Sequence, residues 1–267
     1  MALSLYYNQE QLAAALHTRV MGRSLTVVDE VDSTNTYLKR EYAALPHGHC
    51  MVAACQTQGK GSKGRVWRSP MGDSVAFSVL WKPQTMFDYS MLTLCCGLAV
   101  CLAIRELTGL DARIKWPNDV VIQNKKICGI LCENVFDHGK PALVLGIGIN
   151  LLADQQYFDQ MELPYGASLA MLGARPQAET LVALVLDHLE KLCMDTERDD
   201  NLTACLQEWR PLCLTLGKQV RVIQPREEFT GTAIDVDDCG HLLVDDGQTI
   251  HTLMGSEVSV RGLYGYV

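Results

Sequence analysis

The sequence has little of what would anchor a chain in a membrane or staple it covalently. No apolar run among its 267 residues reaches the roughly 18 needed to span a bilayer. Met1 to Glu10 holds neither the basic nor the apolar region of a secretory signal. Both absences point to a cytoplasmic protein with no membrane partner. The 11 cysteines contain no C-x-x-C pair and are odd in number, and Cys95, Cys96, Cys101, Cys128 and Cys132 stand in apolar runs. Reduced core thiols explain them best. A metal site on Cys128 and Cys132, or on His47 and His49, lacks the spacing of the common zinc motifs, so no metal ligand is assigned. Positive charge is also scarce. The formal net charge is -8, which does not favour nucleic acid as the partner. There is no internal repeat and no low-complexity segment.

What is present suits a folded protein with one sizeable core and a small second domain: 48% hydrophobic and 20% charged residues. Helical spacing predicts helices over Gln9 to Arg19, Met91 to Thr108, Glu179 to Met194 and Leu202 to Arg210. Strands are expected over Ser24 to Val31, Cys50 to Gln56, Ser74 to Trp81, Arg113 to Trp116, Asp119 to Gln123, Lys126 to Val135 and Ala142 to Asn150. Ser33-Thr34-Asn35 offers an N-cap before Tyr37 to Tyr42. After Pro211 the texture changes to short β-rich runs: Gln219 to Ile223, Thr230 to Ile234, His241 to Val244, Thr249 to Leu253 and Glu257 to Arg261. Turns at Asp238-Cys239-Gly240 and Asp245-Asp246-Gly247 separate them, as in a small five-stranded barrel. The boundary falls near Leu212 to Leu216, giving domains over 1–212 and 213–267.

Four constellations carry chemistry. Gln56 to Ser69 holds Lys60, Lys63, Arg65 and Arg68 and no acidic residue, in an otherwise acidic chain. Within it, Gly59, Gly61 and Gly64 let the backbone approach a ligand, and the cations can neutralise phosphate or carboxylate. The stretch contains G-x-G-x-x-G but leads into Val66-Trp67-Arg68-Ser69-Pro70, which starts no helix, and it lacks the G-K-[ST] of a P-loop. It is therefore another kind of anion loop, or a solvated basic loop. Lys115-Trp116-Pro117-Asn118-Asp119 sets a sharp connection whose Asn118 and Asp119 can bind magnesium or orient a lysine, or it is a plain strand-turn-strand. Lys125-Lys126 runs into a buried strand ahead of Gly129, which aims a cation into a cavity or marks a sheet edge. Gly146-Ile147-Gly148-Ile149-Asn150 alternates glycines in a strand, a sign of close approach by a ligand or another backbone.

Val31-Asp32-Ser33-Thr34-Asn35, the Gly59 to Arg65 loop, Lys115 to Asp119, Lys126 to Leu131 and Gly146 to Asn150 occur in this order. Together with Met254 to Arg261 they resemble the biotin protein ligases, over roughly residues 25 to 262. The resemblance implies an α+β fold: a mixed-sheet, class II synthetase-like catalytic domain followed by a small SH3-like barrel. It implies that biotin attacks the α-phosphate of ATP, with Mg2+ present, to give biotinyl-adenylate. A lysine of a biotin carboxyl carrier protein then takes the biotinyl group. By resemblance, Lys126 lies between the biotin carboxylate and the α-phosphate, with Lys115 and Asp119 beside it as catalytic groups. Biotin is assigned to Ser33, Thr34, Asn35, Gln56, Gly59, Lys60, Gly61, Ser62, Lys63, Trp67, Lys126 and Gly129. Within that set Ser33, Thr34 and Gln56 bond the ureido ring, Gly59 and Gly129 leave it room, and Trp67 is an apolar wall or a core side chain. ATP is assigned to Lys60, Arg65, Asn118, Lys126 and Asn150.

The chain departs from the family in three places. Ser62 and Lys60 stand where members often carry Arg, and Leu253 where some carry an aromatic near the adenine. Lys60 forgoes bidentate contact, so looser retention of the adenylate is expected. Thirty residues precede Val31, too few for the DNA-binding domain that some members carry, so the expectation is an enzyme without nucleic acid, monomer or homodimer. Two alternatives differ in class: a lipoate or octanoate ligase, which would not need Gln56 and Ser33-Thr34-Asn35, and a biotin sensor without transfer, which would not need Lys115 and Lys126.

Overall fold

The structure, a computed structural model, describes residues 4–68, 70–83, 91–137, 140–224, 227–255, 258–263 and 266. Ser69, Ser256 and Glu257 of the sequence motifs lie outside the described residues. The first unit is built on a seven-stranded sheet. Its strands are β1 (Leu25–Val31), β2 (Cys50–Gln56), β3 (Ser74–Trp81), β4 (Arg113–Lys115), β5 (Asp119–Ile122), β6 (Lys125–Asp137) and β7 (Lys140–Asn150). Their order is β1-β2-β3-β7-β6-β5-β4, and only β1 and β2 run parallel. That one parallel pair needs a crossover, and α2 (Thr34–Glu41) provides it. Ser33 caps α2, its hydroxyl accepting from Thr36 N–H at 3.4 Å, so the helix starts three residues earlier than its apolar spacing suggests.

Both faces of the sheet are covered, with different partners. Side chains alternate along a strand. Phe77, Val79 and Trp81 of β3 and Leu145, Ile147 and Ile149 of β7 face a large core with α1 (Gln9–Ala15), α3 (Met91–Thr108) and α5 (Ala178–Asp199). On the opposite face Met51, Ala53, Leu80 and Val144 pack under α2 through Leu38. On that second face the apolar run stops: β3 presents Ser78, β7 presents Gly146 and Gly148, and β6 presents Gly129 and Leu131. These are aligned by register, Ser78 beside Gly146 beside Leu131, and Gly148 beside Gly129. The missing side chains make a hollow in a face that is otherwise filled.

One expectation is corrected here. α3 is 18 residues long and apolar enough to cross a membrane, but about two thirds of it is buried within the protein. It is apolar all round because it is the core helix. Its Cys95 and Cys96 lie 4.0 Å from Cys205 and 3.9 Å from Cys132, sulfur to sulfur, which is too far for a disulfide. Two further elements follow β7: the short α4 (Gln155–Gln160), absent from the sequence reading, and α6 (Thr203–Trp209).

The second unit has strands β8 (Gln219–Ile223), β9 (Glu228–Val236), β10 (Leu242–Asp245), β11 (Ile250–Leu253) and β12 (Ser259–Gly262), antiparallel in the order β11-β10-β9-β8-β12. Among the described residues β11 and β12 do not pair, so the sheet is not closed; the separate five-stranded antiparallel unit is consistent with the expected SH3-like barrel. Leu253 is buried in its core rather than facing a cavity. Asp237 organises the turn before β10, accepting from the N–H groups of Cys239 and His241 and from the His241 ring. The two units meet at one seam. Leu214 N–H donates to Ile114 O at 2.8 Å, Trp116 N–H to Thr215 Oγ1 at 3.0 Å, and the Trp116 indole to Gly240 O at 3.0 Å. The Lys115-to-Asp119 segment, with its cis Trp116–Pro117 bond, is therefore held from both sides.

Candidate active site

The hollow over Gly146 and Gly148 opens into a cavity of about 240 Å³, lined at one end by Ser33, Thr34, Asn35 and Gln56 and at the other by Lys126, Asn118 and Tyr165. The polar end is locked in place. Gln56 Oε1 accepts from Thr34 N–H (2.8 Å) and Thr34 Oγ1 (3.1 Å), which leaves its amide N–H groups as donors. The Ser78 hydroxyl lies within hydrogen-bond distance of Thr34 Oγ1 (2.7 Å) and Asn35 Oδ1 (2.6 Å). Asn35 donates to Leu131 O (3.0 Å) and to Glu133 (2.8 Å), which also pairs with Lys39 at 2.8 Å. A methyl at Gly146 would overlap Asn35 Oδ1, so this glycine exists for the asparagine. Asn35 thereby organises the pocket, its amide already satisfied by protein groups.

Gly129, assigned to the ureido ring, and Gly148 of the alternating-glycine strand both lie against Trp67. A Cβ on Gly148 would lie 2.7 Å from Trp67 Cε2, and one on Gly129 would lie 3.0 Å from Trp67 Cζ3. Both therefore seat the Trp67 indole against the sheet. Gly59 abuts the Trp67 carbonyl and receives its N–H at 2.9 Å. Trp67 Nε1 is buried without a hydrogen-bond partner, an unmet donor that a polar ligand atom could satisfy.

A second cavity, of about 970 Å³, adjoins the first and lies along the seam between the two units. Its cations are Lys63, Arg65, Lys115, Arg221 and Arg261, and Asp119 is the one carboxylate among its described lining residues. Sequence reasoning missed Arg221 and Arg261, because nothing in a short β-run announces that an arginine faces a distant domain. The glycine-rich loop borders both cavities. Gly61 N–H donates to Arg65 O at 2.7 Å, and a 3-10 turn spans Ser62–Gly64, with Lys63 in the left-handed region at φ 59°. Arg65 is folded back on Ser62, Nε to its carbonyl at 3.1 Å and Nη2 to its hydroxyl at 2.7 Å. Lys63 Nζ donates to Val258 O, tying the loop to the second unit. Burial, then Arg65 and Arg261, push the Lys63 ammonium below its ordinary value.

The cavities touch at an ion pair: Lys126 lines the smaller, Asp119 the larger, and Lys126 Nζ lies 2.5 Å from Asp119 Oδ1. The other oxygen, Oδ2, accepts from the Tyr266 hydroxyl at 2.5 Å. Lys115 is buried one strand away, and burial above all pushes its ammonium down to about 8, with Lys126 lowering it further and Asp119 opposing.

Lys60, Gly61, Ser62, Trp67 and Gly129 line the smaller cavity, as assigned to biotin. Lys63 lines only the larger, and Gly59 neither. Asn118 lines both and donates to Ile130 O at 2.8 Å. Asn150 borders the smaller cavity, not the larger, and its amide donates to Ala167 O at 3.1 Å, which ties the end of β7 to the segment around residue 167. Ser78, Glu133, Tyr165 and Tyr266 were missed. Ser78 alone left a signal, a mid-strand hydroxyl in a strand buried along its whole length.

A small, partly apolar pocket with a fixed polar end, opening onto a cationic cleft through a lysine, defines an enzyme that brings a small organic acid to a polyphosphate. Comparison with known proteins gives the family. The Biotin/lipoate A/B protein ligase family matches residues 27–150, and the Biotin protein ligase C terminal domain matches residues 215–261. The biotin–[acetyl-CoA-carboxylase] ligase of Mycobacterium tuberculosis is 32% identical over 251 residues, 90% of this chain and 90% of that protein. The bifunctional ligase/repressor BirA of Escherichia coli is 30% identical over 242 residues, 90% of this chain and 75% of that protein. The solved biotin protein ligase from Aquifex aeolicus in complex with biotin and ATP has 27% identity and a TM-score of 0.78, covering 90% of this chain and 99% of that one. The chain belongs to the biotin protein ligase family.

Proposed function

We propose that the chain activates biotin with ATP to biotinyl-adenylate and transfers the biotinyl group to a lysine of a biotin carboxyl carrier protein. The observation that carries this reading is the Lys126–Asp119 contact, which joins an acid-sized pocket to a phosphate-sized cationic cleft. Biotin lies with its ureido ring toward Thr34 and Gln56 and its carboxylate toward Lys126, where it replaces Asp119 as the partner of the ammonium. Carboxylate and α-phosphate are both anions, and a fixed cation between them offsets their repulsion most where charge develops. Arg65, Lys63, Arg221 and Arg261 surround the space for the phosphates. Mg2+, if it accompanies the nucleotide, would supply further neutralisation of the pyrophosphate charge beside Arg65, Lys63, Arg221 and Arg261.

In the second step the carrier amine, neutral at the moment of attack, bonds to the acyl carbon, and AMP leaves with the electron pair of the broken C–O bond. The polar end of the pocket favours biotin over lipoate or octanoate, which carry no ureido group to meet Gln56. ATP–pyrophosphate exchange should therefore respond to biotin and not to lipoate or octanoate. Equal exchange with lipoate would refute the assignment. In the same reading the enzyme works in the cytoplasm, as the unpaired buried thiols of Cys50, Cys101, Cys128 and Cys193 support. It acts as a monomer or homodimer, which light scattering would resolve.

A further inference from the structure

Tyr266 comes from the far end of the chain and reaches the centre of the site. Its hydroxyl donates to Asp119 Oδ2 at 2.5 Å. Its ring centroid lies 3.6 Å from Lys115 Nζ, within cation–π range. Its other neighbour is Tyr165, stacked at 5.1 Å between centroids and 28° between planes. Tyr165 is fixed in turn, its carbonyl accepting Lys126 N–H at 2.5 Å. Tyr266 is among the few residues that line both cavities. One aromatic side chain thus engages Lys115 and Asp119 directly and borders Lys126.

We propose that Tyr266 is a positioning residue for the acyl-transfer step: its ring caps Lys115 and keeps water from it, its hydroxyl ties Asp119, and Lys115 so held receives the proton of the incoming carrier amine. This rests on the proposed function above. In the step, the amine nitrogen forms a C–N bond to the biotinyl carbon while the C–O bond to AMP breaks and its electron pair leaves with AMP. The proton released by that nitrogen passes to neutral Lys115 Nζ, and the resulting ammonium returns it to water.

The electrostatics agree. Five groups act on Lys115: Asp119 from β5, Lys126 from β6, Arg65 from the loop, Arg261 from β12, and the Tyr266 ring. Burial and three cations outweigh the two groups that favour the charge, the Tyr266 ring and one carboxylate already shared with Lys126 and Tyr266. A lysine pushed down to about 8 is partly neutral at cytoplasmic pH, unlike an ordinary one, and this is the condition for a base. Burial first, then the charge of Asp119, raise the Tyr266 phenol, so it stays a donor throughout the working range.

The test is single-turnover transfer from preformed biotinyl-adenylate to an apo carrier domain, followed from about pH 6 to pH 10, with biotin-dependent ATP–pyrophosphate exchange measured beside it. The wild-type transfer rate should rise through a limb near pH 8. Tyr266→Leu removes both a cation–π attraction that favours the ammonium and part of the burial that disfavours it; burial is the larger of the two, so the limb should move up by up to about one unit and the rate below it should fall by up to about tenfold. Tyr266→Phe keeps the ring and should keep the limb. Lys115→Arg cannot release a proton in this range and should abolish the limb. An unmoved limb in Tyr266→Leu, an equal move in Tyr266→Phe, or a limb that survives Lys115→Arg overturns the proposal. Absence of biotin-dependent exchange in the wild type would instead overturn the ligase reading itself.

Discussion

Two lysines on either side of β5 differ in environment, and that difference sets their tasks. Lys126 is partly exposed and lines the smaller cavity. Lys126→Ala should therefore fold normally and lose about 10²- to 10³-fold in single-turnover adenylate formation, the usual cost of one charge stabiliser. A near wild-type rate would reduce it to a surface lysine. Lys115 is buried, and its ammonium lies near 8 when folded against about 10.4 for a free lysine. Between those values the folded chain binds fewer protons than the unfolded chain, so stability rises with pH across that window. Below about pH 8 the full cost of keeping the charge buried is present. Lys115→Met should thus stabilise the protein by about 1–3 kcal/mol at neutral pH while impairing transfer. Urea unfolding at about pH 7 and pH 10 checks it: the gain should shrink at the higher pH, and an equal difference at both would show that burial of the charge is not the cause.

The decisive element is the loop over residues 57–68. Its glycines are not there for flexibility: Gly59 and Gly61 pair with Trp67 and Arg65, and the turn between them is closed. Position 62 borders both cavities, where Ser62 now spends its hydroxyl on Arg65. Lys63 does not stand in for a missing arginine, since it is committed to Val258 O. An arginine at 62 would reach the adenylate, and Arg65 would retain the backbone carbonyl of residue 62. One charge-assisted hydrogen bond is worth about 1.5–3 kcal/mol, so Ser62→Arg should slow release of preformed biotinyl-adenylate by about 10- to 150-fold. Off-rates within about twofold of each other would remove position 62 from the account of retention.

At the scale of the whole molecule, the nucleotide-sized cavity lies along the seam, so neither unit forms it alone. β12 brings Arg261 and β8 brings Arg221 to a cleft whose floor is the Lys115-to-Asp119 segment. Positive charge is concentrated there, inside a concave site, while the net charge of the chain is -8. Duplex DNA requires an extended cationic face and shows strong salt dependence. The chain should bind no operator-like DNA in gel-shift titrations at about 50 mM salt. Specific binding that weakens steeply with salt would show a DNA-binding role for the chain.

Much of this protein was legible from residue order alone. β2, β3, α3 and β8 match their expected limits, because a residue run either alternates or repeats every three to four positions and needs no distant partner to do so. The five motifs named the family and most of the pocket for a related reason, since each is contiguous in the chain. The sequence could not say what the glycines face. In the sequence Gly148 signals close approach by a ligand or another backbone, and Gly129, by resemblance, room for the ureido ring; only the pairing of β6 with β7 shows that Trp67 lies against both. Nor could it place Arg221, Arg261 or Tyr266, which enter the site across more than a hundred residues of chain. Their positions follow from the docking of two units at Trp116 and Thr215. The low affinity of Lys115 for its proton, too, belongs to the tertiary structure: a lysine acquires it only when the fold removes water and gathers other cations around it.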